Sequence, residues 1–231
     1  MNIIKTQYFD ITYSIIKSKR KTLSIIIEDN GNVIVRAPKF LSDYEIKKFV
    51  FDKSDWIISK LLNIKTIEEK KYIDGEKFLY LGKNYKLITI EGNYDVGILN
   101  DYIYISLKKD FFKNIELKKE MILKWYKKEA KRIIFERLEY YSKIMNLKYG
   151  KVYIRDQKTR WGSCSGKNNL SFNFRIIMAP IRKLDYIIIH ELAHIVYKNH
   201  KKEFWNYVAK YCDDYLESRK WFRENGYKLS L

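Results

Sequence analysis

Residues 181–198 read as one helix that is apolar on nearly every face, through Leu184, Ile187, Ile188, Ile189, Leu192, Ala193 and Val196, yet it carries His190, Glu191 and His194. A helix of this kind belongs inside a core. Two imidazoles and a carboxylate buried there are costly unless they are paired or bound to an ion. The fold must therefore bring compensating chemistry to the inside of a buried helix. Positions four apart share a helix face, so His190 and His194 converge while Glu191 stands one step round. Asn199 marks a stop, and the turn after it can fold His200 back toward the first two rings. The chain has 3 histidines, and these are all of them.

The spacing His190-Glu191-Leu192-Ala193-His194 is the H-E-x-x-H arrangement of zinc hydrolases. Three protein ligands leave a fourth position for water, whereas structural zinc is closed by four ligands rich in cysteine. The expectation is one Zn2+ per chain on His190, His194 and His200. Three neutral histidines leave the ion its full charge, which lowers the pKa of a water toward neutrality. Glu191 then acts as general base and passes the proton to the leaving amine. A developing oxyanion needs a further donor, for which Arg160, Tyr197 and the backbone N–H groups near Gly162 are candidates. Cys164 and Cys212 stand in different contexts and form no disulfide framework. Both read as reduced thiols, Cys212 in helix packing and Cys164 as a small buried residue rather than a fourth ligand.

Before this helix the chain changes character more than once. Residues 7–15 and 22–37 alternate apolar and polar residues, and Asp29-Asn30-Gly31-Asn32 between two β-branched runs predicts a hairpin. Ser42 with Glu45 forms a capping box, opening a helix on Ile46, Phe49, Val50, Trp56, Ile57 and Leu61 to about residue 63. Residues 70–108 return to short strands, with a hairpin over 78–88 and a strand at 102–105. Residues 114–147 give the longest helical pattern, a core-packing helix. Val152-Tyr153-Ile154 and 170–177 read as strands, Pro180 as a first helical residue. A last helix from His200 puts Phe204, Val208, Tyr211 and Tyr215 on one face. No internal repeat is evident. The fold class is α+β: a β-rich region over 1–110 for scaffold or substrate recognition, then a compact catalytic domain over 111–231, with a soft boundary.

The formal net charge of +18 would suit an acidic partner such as nucleic acid. Lysine greatly exceeds arginine, however, and is spread along the whole length without a dense basic block, so the charge reads as compositional. Polar residues interrupt the N-terminal apolar positions, so no signal-peptide core forms. No apolar run is long enough to span a bilayer. A cytoplasmic protein acting on peptide or protein, without a membrane, is expected.

Arg160-Trp161-Gly162-Ser163-Cys164-Ser165, followed by Asn173, Pro180, Asp185-Tyr186, the histidine motif, His200 and Phe204-Trp205, resembles the YgjP-like metallopeptidase family, related to the SprT-like and WLM groups. The likeness is dense in the C-terminal half and looser around Pro38 and Trp56. It implies a compact zincin-type domain with zinc on His190, His194 and His200 and Glu191 as base. Tyr197 stands where the metzincins have glycine, which argues against that group. By analogy with zincins, residues 170–177 would hold extended peptide by strand addition, with Trp161, Gly162, Ser163, Cys164 and Ser165 shaping the entrance; the alternative is that Trp161 and Cys164 pack behind the helix. Two alternatives remain: a metal-dependent nucleotide or phosphoester hydrolase, and a DNA-associated protease recruited through its basic surface.

Overall fold

The computed structural model describes residues 2–6, 10–28, 30–62, 69–157 and 160–231. The fold is α+β, in two compact units, Met1–Glu68 and Glu69–Leu231. In the first, β1 (Asn2–Lys5), β2 (Asp10–Ser18), β3 (Ser24–Ile27) and β4 (Val33–Pro38) form a sheet of order β1-β2-β4-β3. Two antiparallel hairpins are joined by parallel pairing of β2 with β4. Strand alternation puts Ile11, Tyr13, Val33 and Val35 into one core with Ile46, Val50 and Ile57 of α1 (Asp43–Asp52) and α2 (Ser54–Leu62).

The Ser42 capping box forms as expected: the Ser42 hydroxyl accepts from the Glu45 N–H at 3.3 Å, and the Glu45 carboxylate accepts from the Ser42 N–H at 2.8 Å. The hairpin between β3 and β4 also forms, with Gly31 at φ 88°; Asp29 of that turn lies outside the described residues. Where the sequence suggested one helix there are two. The Lys53 N–H turns back to the Val50 and Phe51 carbonyls and ends α1. Trp56 is consequently 45% exposed while Ile57 takes the core position. Residue 63, the expected helix end, is also outside the described residues.

The second unit opens with β5 (Lys77–Tyr80), β6 (Lys83–Glu91), β7 (Asp95–Leu99) and β8 (Tyr102–Leu107), in the order β5-β6-β8-β7. Its plan is that of the first sheet, two hairpins joined by a parallel pair, a topological repeat that the sequence did not reveal. Asn114 caps α3 (Ile115–Ile144) by accepting from the Leu117 N–H at 3.0 Å. Ile122, Tyr126, Ala130, Ile134 and Leu138 of α3 share one core with Phe78, Leu87, Ile103 and Ile105 of the sheet. The Tyr126 hydroxyl donates to the Leu79 carbonyl at 2.6 Å. This common core is why the compact unit begins at Glu69, whereas the sequence reading placed a soft boundary near 110.

A third sheet follows, with β9 (Val152–Arg155), β10 (Gly162–Cys164) and β11 (Leu170–Asn173) in the order β10-β11-β9. A 3-10 turn over Phe174–Met178 leads to α4 (Ile181–Val196). Pro180 is the N-cap of α4, with extended backbone at ψ 144°, rather than its first helical residue.

Two contacts set α4 in place. At the tip of the β5–β6 hairpin, Leu81 and Gly82 have φ 48° and 80° and donate their N–H groups to the Ile177 and Met178 carbonyls at 2.8 and 3.1 Å. A Cβ on Gly82 would come 2.9 Å from Pro180 Cα, so only glycine allows this approach. From the other side Arg137 of α3 grips Asp185 through two hydrogen bonds of 2.7 and 2.6 Å, and the Tyr141 hydroxyl adds a third at 3.1 Å.

The expected last helix is also two, α5 (Lys202–Tyr211) and α6 (Tyr215–Asn225). Asp213 and Asp214 between them are drawn to Arg182 and Lys183 of α4, at 3.1 and 2.8 Å. That turn swings α6 across α4. Among the described residues no helix is long and apolar enough to cross a membrane.

Candidate metal centre

His190 and His194, one turn apart on α4, aim at a common point. His200, in the turn before α5, brings its Nε2 to 3.1 Å from the Nε2 of each. Among the described residues these three form the group able to hold a metal ion. Tetrahedral zinc with bonds of about 2.0–2.1 Å sets its nitrogen ligands roughly 3.3 Å apart, so the spacing fits. The protonation states fit too. His194 Nδ1 lies 2.9 Å from the Tyr197 carbonyl, which can only accept. The proton therefore sits on Nδ1, and Nε2 keeps its lone pair for a metal. Burial, reinforced by His194, His200 and Arg219, holds His190 down to about 3, and burial lowers His194 and His200 as well. Three neutral rings gathered at one point suit a cation.

Aromatic side chains of α5 hold this arrangement. Phe204 packs against all three rings, with centroids at 4.9, 4.6 and 4.8 Å. Trp205 stacks on His200 at 5.5 Å and 25°.

Glu191, also on α4, is 5% exposed, and burial pushes its carboxyl up to about 8 against the opposing pull of Arg160. Its Oε2 has no hydrogen-bond partner among the described residues. Beside it runs β10. A Cβ on Gly162 would lie 2.6 Å from Glu191 Oε1, so the strand is held against the carboxylate by the absence of a side chain.

β10 is an edge strand of its sheet, as β9 is on the other side, and this corrects the expectation for residues 170–177. β11 is the central strand, bonded to β10 on one side and β9 on the other, and Phe174–Met178 is a 3-10 turn. Toward β11, the Trp161 carbonyl accepts from the Asn173 N–H and the Ser165 N–H donates to Asn169. Because antiparallel pairing alternates, Gly162 and Cys164 turn their N–H and C=O groups to the open side.

Of the other residues singled out in the sequence, Trp161 packs on Phe222 at 5.3 Å and, with Gly162, His190 and Glu191, lines a cavity of about 250 Å³. Tyr197 meets the histidines through its carbonyl, while its ring packs on Tyr207 at 5.6 Å. Arg160 is exposed and acts on Glu191 by charge. Ser163 pairs across the sheet with Ser171. Cys164 stands outside the histidine group, and burial raises its thiol; burial and Asp214 push Cys212 up to about 12.

The sequence reading missed α6. Its Tyr215, Arg219 and Phe222, spaced to share one helix face, all turn to the site. Tyr215 stacks on Trp205 at 5.5 Å, the Arg219 guanidinium lies over Trp205 at 4.9 Å, and Phe222 packs 6.4 Å from Tyr186. The spacing alone was the available signal.

The three-histidine centre fits a metal-dependent hydrolase. A family profile described as YgjP-like, metallopeptidase domain, matches residues 21–225. The chain belongs to the YgjP-like metallopeptidase family. Among solved structures it is similar in part to the metallopeptidase zymogen of Pyrococcus abyssi abylysin, at 28% identity over 33% of this chain and 77% of that one, with a TM-score of 0.31. No curated protein matches the chain.

Proposed function

We propose that the protein is a zinc-dependent peptidase in which His190, His194 and His200 hold the ion and Glu191 is the general base. One observation carries this reading: the His200 Nε2 lies 3.1 Å from the Nε2 of both His190 and His194, beside a buried carboxylate that an edge strand approaches to glycine distance. Zinc on three neutral imidazoles supplies Lewis acidity. Glu191 accepts the proton of the attacking water and hands it to the departing amine. Its unpartnered Oε2 suits that role. The substrate backbone lies along β10 as an added strand, bonded to the outward N–H and C=O groups of Gly162 and Cys164. One of these outward N–H groups could instead serve as the donor to a developing oxyanion.

The test is hydrolysis of unfolded protein by the zinc-loaded chain beside a Glu191→Gln sample of equal zinc content. Loss of cleavage in the variant alone is the expected result.

A second reading, hydrolysis at phosphorus in a nucleotide or other phosphoester, is favoured by one observation. Neither Arg160 nor Arg219 is paired with a carboxylate among the described residues, and both act electrostatically on groups of the centre. Presenting nucleoside triphosphates and unfolded protein side by side separates the two. Steep salt-dependent DNA binding would be the signature of recruitment to nucleic acid.

A further inference from the structure

Arg219, an exposed residue of α6, borders the histidine centre. It lines the 250 Å³ cavity that His190 and Glu191 also line, and its charge reaches His190 and His200. Its guanidinium is exposed and has no carboxylate partner among the described residues. It is nevertheless held in place, over the Trp205 ring at 4.9 Å, while Trp205 itself is stacked between contacts to His200 and Tyr215. Such a clamp fixes a planar cation with its N–H groups free for a ligand.

The rest of the cavity is apolar and aromatic, built from Trp161, Tyr186 and Phe222. Its volume is below the roughly 300–1,000 Å³ of sites that enclose drug-sized ligands, so it suits one amino-acid side chain rather than a larger molecule. We propose that Arg219 is a specificity-determining residue that pairs with a carboxylate of the peptide substrate, held in this cavity next to the reacting centre. This rests on the peptidase reading above. Two sources offer the same carboxylate, an Asp or Glu side chain and a free C-terminus.

The experiment uses the full zinc-loaded chain and quenched peptides in matched pairs: Glu against Gln at each position flanking the cleaved bond, and C-terminal acid against C-terminal amide. Wild type is expected to favour the acidic member of one pair by about 10- to 100-fold in kcat/KM, the worth of a charge-assisted hydrogen bond. The pair that shows the preference identifies the source. Arg219→Gln should bring that ratio close to one, and Arg219→Lys, which keeps charge without the planar fork, should retain part of it. Binding of the same pairs to zinc-loaded Glu191→Gln protein, with and without Arg219→Gln, supplies a second readout. No acidic preference in wild type, or a preference that survives Arg219→Gln, overturns the proposal. If no peptide is cleaved but binding still discriminates through Arg219, the peptidase reading fails and the carboxylate site stands. If binding does not discriminate either, both fail.

Discussion

Gly162 and Glu191 are in contact so close that a Cβ on Gly162 would lie 2.6 Å from Oε1 and 2.7 Å from Cγ of Glu191. The edge strand and the Glu191 carboxylate are thus positioned by one another. Gly162→Ala must displace either the strand or the carboxylate, and misplacement on the order of 1 Å can cost about 100-fold in rate. The expected outcome is a loss of that order in kcat/KM, with zinc content and the unfolding midpoint little changed. Steady-state kinetics on metal-assayed protein checks it.

His200 comes from outside α4, and its position depends on the turn and on Phe204 and Trp205. His200→Ala leaves two nitrogen ligands, so zinc affinity should fall by more than the 10- to 100-fold typical of removing a partner behind a ligand. Chelator competition measures this. Unchanged affinity would place the third ligand elsewhere.

Asp185 is 6% exposed, and both its oxygens are engaged by Arg137. Removing one member of such a pair leaves an uncompensated charge, at a cost of about 3 kcal/mol. Arg137→Met should therefore lower denaturant stability by that order, while Arg137→Lys should recover only part because the two-pronged grip is lost. The loss belongs to the α3–α4 junction, so zinc stoichiometry in the folded protein should persist.

The Glu191 carboxyl, raised to about 8 in the metal-free fold, gives a pH signature. Its folded pKa lies above the unfolded value, so the native state binds the proton more tightly. Metal-free stability from this group is fullest below about pH 4.5 and declines as pH rises toward 8. Glu191→Gln, which cannot ionise, should remove that decline. Denaturant melts of the metal-free wild type and variant between pH 5 and 8 read the difference, and parallel curves would mean that the carboxylate is not buried.

Much of the centre was legible because it is local. His190, Glu191 and His194 are fixed by helical spacing, and His200 by a short turn. The capping box of Ser42 and Glu45 and the long helix were legible for the same reason. What escaped depends on contacts between distant segments. β10 is a three-residue strand, too short to show a period, and its place at an edge follows only from β11 pairing with both neighbours. The breaks at Lys53 and at Asp213-Asp214 interrupt apolar patterns that continue across them. The second break depends on Arg182 and Lys183, some thirty residues earlier in the chain. Arg219 reaches the centre only because of it.

In the proposed mechanism three histidines hold the ion while Glu191, and no ligand, moves the proton. Zinc content and peptide hydrolysis measured on the same preparations of wild type and Glu191→Gln test it most directly. One zinc per chain is expected in both, with a fall in kcat of about 100- to 10,000-fold in the variant, the range for losing a general base. Full activity in Glu191→Gln, or zinc lost together with activity, would contradict it.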